Sequence, residues 1–182
     1  MEKSRKITLL IIFFILQLTF IFLGVIKNEF ILYKGDTLKI LTKPLDPYDA
    51  FRGNYLVLNY ENSIKVSDGT TDNAYNKGDI VYIVYKEDDT GYSKIDYITK
   101  EKPKGEKYIK ARVNYKYSSE IFLKLPFDRY YIDSSYAKEA EKLARDRNEE
   151  VYFTVKIYKG DAVISNLYVN KVKIIDYINE NK

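Results

Sequence analysis

The sequence contains no cysteine and no histidine among its 182 residues. The absence of cysteine excludes disulfide bonds, thiolate nucleophiles, thiol-ligated metals and a lipid-modified cysteine. The absence of histidine removes the usual general base near neutral pH and the commonest ligand of transition metals. Most hydrolytic and zinc-dependent reactions therefore lose their simplest route, and we expect a protein that is not an enzyme and holds no cofactor or metal.

The excess of positive over negative charge is also small. The formal net charge is +4, and lysine and glutamate are mixed along the chain rather than gathered in a basic block. This distribution does not favour nucleic acid as a partner. The chain is 31% charged and 46% hydrophobic, which is typical of a globular protein with one core.

One long apolar segment lies near the N-terminus. Residues 7 to 26 read ITLLIIFFILQLTFIFLGVI and carry no charge. A helix of this length spans about 30 Å, the thickness of the hydrocarbon layer of a bilayer. A cleaved signal peptide is the alternative, but its apolar part usually has about 7 to 15 residues, followed by small residues in an A-x-A-like pattern. The segment therefore predicts one transmembrane helix.

Basic residues set the predicted orientation of this helix. Lys3, Arg5 and Lys6 precede the apolar segment, so the positive-inside rule places the N-terminus in the cytoplasm. We expect a single-pass protein of the cell membrane with its C-terminal domain outside. The predicted divisions are a cytoplasmic N-terminus (1–6), a transmembrane helix (7–26), a short linker (27–34) and an extracytoplasmic domain (35–182).

Beyond the apolar segment the periodicity changes to two residues. Eight segments are rich in Ile, Val, Tyr and Thr and several of them alternate, which predicts β-strands. These segments are residues 37–43, 55–60, 79–86, 93–99, 108–117, 120–125, 151–158 and 162–169. The last two are joined through Lys159, Gly160 and Asp161, which is the clearest hairpin signal. The domain is therefore expected to be mainly β, a mostly antiparallel sandwich or barrel-like fold.

One segment, residues 132 to 148, has helical periodicity instead. Its apolar positions Tyr136, Ala140, Leu143 and Ala144 share one face of a helix, and Ser134 or Ser135 is the expected N-cap. We expect one amphipathic helix packed on the sheet.

The stretch DPYDAFRGNYLVLNY, residues 46 to 60, combines turn residues with a strand. Pro47 ends the preceding strand, Asp49 can bond backbone amides, and Gly53 and Asn54 tolerate backbone conformations that most residues avoid. In the strand that follows, Leu56, Leu58 and Tyr60 share one face and Tyr55, Val57 and Asn59 share the other. Arg52 could hold a surface anion, but it is interpreted as a bidentate clamp that fixes the turn.

The run GNYLVLNY resembles the motif of the bacterial GDYXXLXY family. Gly53, Tyr55, Leu58 and Tyr60 are in register with that motif, and the residues before it, Pro47, Asp49, Phe51 and Arg52, are similar to the usual lead-in. Asn54 stands where the motif has aspartate. A catalytic or metal-binding carboxylate could not generally be exchanged for an amide, whereas a turn-forming aspartate can, so we interpret the motif as structural. The resemblance implies a membrane-anchored protein but no particular activity.

Three alternatives for function follow from the residues. The favoured hypothesis is an accessory or interaction subunit that contacts another membrane or envelope protein through some of its 19 tyrosines. The second is a ligand-binding module of the cell envelope with a tyrosine-lined groove. A Ser/Lys peptidase is the least favoured, because Ser63 is the first serine after the apolar segment and Lys100 lies in a charged stretch. The acidic run 87–89 is typical of a solvated turn rather than a calcium site.

Overall fold

The computed structural model describes residues 2–42, 55–65, 75–146 and 148–181. Over these ranges the chain is mainly antiparallel β, and its sheets form a nearly closed, barrel-like arrangement. The helices are α1 (Glu2–Lys34), α2 (Ser134–Arg145) and α3 (Ile174–Glu180). The strands are β1 (Asp36–Leu41), β2 (Tyr55–Val57), β3 (Ser63–Lys65), β4 (Ile80–Glu87), β5 (Ser93–Thr99), β6 (Tyr108–Tyr117), β7 (Glu120–Lys124), β8 (Arg129–Tyr131), β9 (Val151–Tyr158), β10 (Asp161–Val169) and β11 (Val172–Lys173).

The strands of the described residues pair in three sheets. One has the order β1-β9-β10-β11, a second pairs β2 with β8, and the third has the order β3-β7-β6-β4-β5. All of these pairings are antiparallel. The four-stranded and five-stranded sheets adjoin where β1 lies beside β5, and there the Lys39 amide donates to the Ser93 hydroxyl at 3.3 Å. The predicted mainly β fold is therefore confirmed.

The core follows the two-residue alternation of the strands. Val81, Ile83 and Tyr85 on β4 face inward, while Ile80 and Lys86 face solvent. The same alternation buries every second residue of β6 from Ile109 to Val113. β9 is buried over its first five residues, because it lies between β1 and β10 in the centre of its sheet.

Each of the eight predicted strands coincides with an observed strand to within a few residues at its ends. The hairpin of β9 and β10 is confirmed: Tyr158 pairs with Asp161, and Lys159 and Gly160 both have positive φ, 52° and 92°. Sequence patterns did not predict β3, β8, β11 or α3. These strands have two or three residues each, which is too few to show a period.

Helix α2 forms as predicted, but its N-cap is not the predicted serine. Asp133 is the N-cap, and its carboxylate accepts a hydrogen bond from the Ser135 amide at 2.8 Å. Ser134 is the first helical residue. An aspartate carboxylate placed one residue earlier is as good an acceptor for the free amides of the first turn as a serine hydroxyl, so it takes the capping position.

Helix α1 runs without interruption from the apolar segment to the first strand. Residues 27 to 34, predicted as a linker, form its last turns, and Gly35 alone separates it from β1. The side chain of Lys27 forms an ion pair with Asp161 at 2.8 Å, and the ring of Phe30 packs edge-on against Tyr158 at 5.1 Å. The end of α1 is thus docked on the hairpin of β9 and β10. Among the described residues, α1 is the one helix long and apolar enough to cross a membrane.

Candidate functional site

The described part of the family-like motif, residues 55 to 60, lies where two sheets meet. Its strand β2 pairs with β8, so Tyr55 faces Tyr131 and Val57 faces Arg129. The chain then continues beside β1, where Tyr60 forms a bridge with Thr42. The motif segment is therefore held by residues about 70 positions later in the sequence and by the strand before it.

Tyr60 anchors the buried side of this segment. Its hydroxyl donates to the carbonyl oxygen of Phe127 at 2.7 Å, and its ring packs against Phe127 and Phe153 with centroids 5.7 and 5.5 Å away. Burial raises the pKa of the Tyr60 hydroxyl well above its usual value, and the charge of Asp128 adds to the rise. Leu56 and Leu58 are buried on the same face, as the alternation predicts.

Tyr55 lies on the outer side of the segment and is half-buried. Its ring contacts Tyr131 at 5.9 Å between centroids, and the guanidinium of Arg129 lies 4.7 Å from its centre. The predicted division into an apolar face and a mixed face is therefore confirmed for residues 55 to 60. The predicted turn and the Arg52 clamp stay predictions, because the other motif residues lie outside the described residues. The motif residues outside the described ranges are Pro47, Asp49, Phe51, Arg52, Gly53 and Asn54.

A cavity of about 370 Å³, which we call the Tyr85 groove, opens beside the motif between β1, β4 and β5. Tyr85 is buried in its wall, and the phenolic oxygen has no hydrogen-bond partner among the described residues. Burial is the largest cause that raises the pKa of this hydroxyl. Glu61, which directly follows the motif, also lines the groove. The residues that line the groove are Ile40, Leu41, Thr42, Glu61, Tyr85, Asp88, Thr90, Tyr92, Ser93, Lys94 and Ile95.

The acidic run of residues 87 to 89 forms one rim of the groove through Asp88. Its carboxylate accepts hydrogen bonds from the amides of Thr90 at 2.9 Å and Tyr92 at 3.0 Å, and it pairs with Lys94 at 2.9 Å. The Thr90 hydroxyl and Lys94 are the largest causes that hold the pKa of Asp88 far below its usual value. The carboxylate thus orders the turn before β5, as expected for a turn residue. Within the described ranges, no three acidic residues cluster as metal ligands would.

Tyr92 joins the groove to a second cavity of about 350 Å³ at the start of β9. Its hydroxyl donates to the carboxylate of Glu150, and its ring packs edge-on against Tyr152 at 5.3 Å. Burial and the Glu150 carboxylate raise the pKa of Tyr92. Sequence analysis did not single out Tyr85 or Tyr92. The alternation of residues 79 to 86 does place Tyr85 inward with Val81 and Ile83, but it cannot show that the hydroxyl lacks a partner.

The two residues weighed for a peptidase lie in separate contacts. Ser63 donates to the Glu120 carboxylate at 2.7 Å across β3 and β7, and Lys100 pairs with Asp79 at 2.7 Å. A Ser/Lys mechanism requires the lysine amine near the serine hydroxyl. The geometry of these two side chains provides no such pair.

Alkaline pH should destabilise the domain because many tyrosines have raised pKa values. Below a pH of about 10, the usual pKa of tyrosine, their stabilising effect is complete; above it the unfolded chain ionises first and stability falls. We expect the denaturant midpoint of the full chain in detergent to fall steadily as the pH rises from about 10 to about 11.5, and less steeply for Tyr85→Phe. A midpoint constant over that range would contradict the assigned burial. Seven described tyrosines contribute: Tyr60, Tyr85, Tyr92, Tyr97, Tyr130, Tyr152 and Tyr177.

Comparison with known proteins agrees with the motif. No curated protein and no solved structure matches the chain. A family model described as GDYXXLXY protein matches residues 17–167, from within α1 to within β10. This match covers most of the sequence, and the chain therefore belongs to the GDYXXLXY family.

Proposed function

We propose that this protein works by binding rather than by catalysis, as a membrane-anchored module whose Tyr85 groove takes a small, uncharged, hydroxyl-rich ligand in the cell envelope. The observation that carries the proposal is Tyr85, whose side chain lines the groove and whose buried hydroxyl has no hydrogen-bond partner among the described residues. A buried polar group that lacks a partner costs roughly 1 to 3 kcal/mol, and a ligand acceptor would remove that cost.

The shape and charge of the groove support a ligand of this kind. A volume of about 370 Å³ is at the small end of the range of ligand cavities, roughly 300 to 1,000 Å³. Asp88 and Lys94 neutralise one another, so the charge that remains in the lining is that of Glu61, which disfavours an anionic ligand. Hydroxyls and aromatic rings next to one carboxylate, Glu61, are groups that recognise sugar hydroxyls. A saccharide unit fits these properties best.

The anchor supports binding at a membrane surface. Residues 7 to 26 of α1 are exposed and strongly apolar, and a membrane would cover them. Because α1 is docked through Lys27 and Phe30 on the hairpin of β9 and β10, the domain is held at a defined position close to the bilayer.

The binding test compares two tyrosine variants of the full chain in detergent micelles. Calorimetric titration with short soluble oligosaccharides, with and without N-acetyl groups, should show binding by the native chain. Tyr85→Phe should weaken binding about tenfold, the effect of one lost hydrogen bond in a buried site, while its stability is unchanged or higher because an unpartnered hydroxyl is removed. Tyr97→Phe is the matched control, since Tyr97 is outside the groove and donates to Glu106. Equal affinity of Tyr85→Phe and the native chain would refute the proposal.

A second candidate, contact with another membrane protein, is favoured by an aromatic patch on the outer face of β6 and β7. Tyr117 is 74% exposed, and Tyr115, 47% exposed, stacks on Phe122 at 4.4 Å. Tyrosines of this kind are enriched at the centres of protein interfaces. A chain that binds no saccharide, yet loses a crosslinked membrane partner when Tyr115 and Tyr117 are changed to alanine, would favour this candidate.

The proposed orientation has its own test. Protease added outside intact cells or spheroplasts should degrade the domain, residues 35 to 182, and leave the apolar segment in the membrane. Permeabilised cells serve as the control, because the protease reaches both sides there. A domain that is protected in intact cells and cleaved only after permeabilisation would show that it faces the cytoplasm.

A further inference from the structure

A pocket of about 350 Å³ on the outer face of β4, β6 and β7 collects three cations. Arg112 and Lys124 are directly opposite one another across the two antiparallel strands β6 and β7, and Lys110 is two residues before Arg112 on the same face. Like charges in opposed positions destabilise a sheet, so this arrangement costs stability in the free protein. We call these three side chains with Ile80, Pro126 and Asp161 the basic pocket.

The acidic residues near the basic pocket are already engaged. Asp161 pairs with Lys27 at 2.8 Å, and Asp79, next to Ile80, pairs with Lys100 at 2.7 Å. No ion pair of Lys110, Arg112 or Lys124 is present among the described residues. The pocket therefore carries an uncompensated positive charge, although the whole chain has a net charge of only +4.

The basic pocket lies beside the point in α1 where the uncharged segment 7 to 26 ends. Lys27 directly follows the uncharged segment 7 to 26, and its ammonium contacts Asp161. The preceding residue, Gly160, accepts a hydrogen bond from the Lys110 amide at 2.9 Å, so the first cation of the pocket adjoins the hairpin on which α1 docks. If α1 spans a bilayer, Lys27 is at the boundary of the hydrocarbon, where a polar headgroup layer about 5 to 7 Å thick begins. The phosphates of that layer are the nearest abundant anions.

We infer that the basic pocket binds the phosphate of an anionic membrane lipid. One guanidinium nitrogen of Arg112 donates to the Gly78 carbonyl at 3.4 Å, the remaining N–H donors suit a phosphate, and two lysines add charge beside them. Ile80 is 41% exposed and lies at the same pocket with Pro126, which provides an apolar surface for the glycerol and upper acyl groups. The inference depends on the membrane anchor proposed above, but it is independent of the saccharide groove.

The test uses the full chain inserted in lipid nanodiscs that contain equal parts of anionic and zwitterionic phospholipid. After mild detergent extraction, native mass spectrometry should find the anionic lipid retained preferentially. The double variant Arg112→Gln with Lys124→Gln should lose roughly twenty-five-fold in retention, because each cation near an anionic surface contributes about fivefold. Lys86→Gln with Lys138→Gln removes the same charge from exposed positions outside the pocket and should retain the lipid.

Each outcome of this experiment is decisive for one claim. Equal retention by the two double variants would overturn the basic pocket as a lipid site. A second measurement adds soluble glycerol phosphate to the native chain. If glycerol phosphate binds without displacing lipid, and the chain retains anionic and zwitterionic lipid equally, the pocket binds a free phosphate and the lipid inference is overturned. A chain that does not enter nanodiscs at all would instead refute the membrane anchor.

Discussion

Replacement of Phe153 by alanine should destabilise the domain by about 3 to 5 kcal/mol, the usual cost of an aromatic side chain removed from a closed core. Phe153 has no exposed surface and packs against Tyr60 and Phe127 with ring centroids 5.5 and 6.0 Å away. The cavity that the alanine substitution creates would also remove the packing contact on one side of the Tyr60 ring. We expect denaturant unfolding of the full chain in detergent, followed by near-ultraviolet circular dichroism, to show this loss.

Two further variants make this expectation specific. Phe153→Leu preserves most of the volume and should cost less than about 1.5 kcal/mol. Tyr117→Ala removes an aromatic ring that is 74% exposed and should change stability by no more than about 0.5 kcal/mol. A loss below about 1 kcal/mol for Phe153→Ala would mean that the three rings do not form a closed cluster.

Gly35→Ala should cost about 2 to 3 kcal/mol, because a methyl group at this position meets backbone atoms that cannot rotate away. A Cβ atom there would lie 2.5 Å from the carbonyl oxygen of Ile31 and 2.9 Å from that of Ile157. To admit it, the end of α1 must move away from β9, and the hydrogen bond from the Gly35 amide to Ile31 must lengthen from 2.8 Å. The contacts of α1 with Asp161 and Tyr158 would weaken together.

Hydrogen exchange gives the most direct measurement of this effect. The peptide covering residues 31 to 41 should exchange faster in Gly35→Ala than in the native chain, in addition to the loss of global stability. Gly24→Ala is the matched control, since no atom lies within 4 Å of its added Cβ and alanine favours helix. Unchanged exchange at residues 31 to 41 would show that α1 is not rigidly joined to the sheet.

The junction between α1 and the sheet matters for the lipid inference. It brings the basic pocket to the level where the apolar segment ends, through Lys27, Asp161 and the hairpin of β9 and β10. The Tyr85 groove lies between other elements, β1, β4 and β5, and involves none of the residues of the basic pocket. Ligand binding in the groove and lipid binding in the pocket can therefore be tested by separate variants.

Local patterns in the sequence determined the class of structure. The twenty uncharged residues from 7 to 26 predicted an apolar helix, and the alternation in residues 79 to 86 and 108 to 117 predicted strands whose ends agree closely with β4 and β6. Such patterns work because they depend on neighbours a few positions apart, within one helical turn or one strand. The helix cap at Asp133 was missed because a single residue decides it, and the three short strands were missed because two or three residues are too few to show a period.

The tertiary structure alone decided which residues meet. Strand β2 pairs with β8, about 75 residues later, and this pairing brings Tyr60 into contact with Phe127. Whether the Tyr85 hydroxyl finds a partner depends on all the strands around it, and no sequence pattern contains that information. In the same way, Arg112 and Lys124 face one another only because of the register of β6 and β7, which includes a bulge after Val113. Register depends on the packing of whole strands, because a shift of one residue would exchange the buried and exposed faces, and this is why contacts between distant residues cannot be derived from local periodicity.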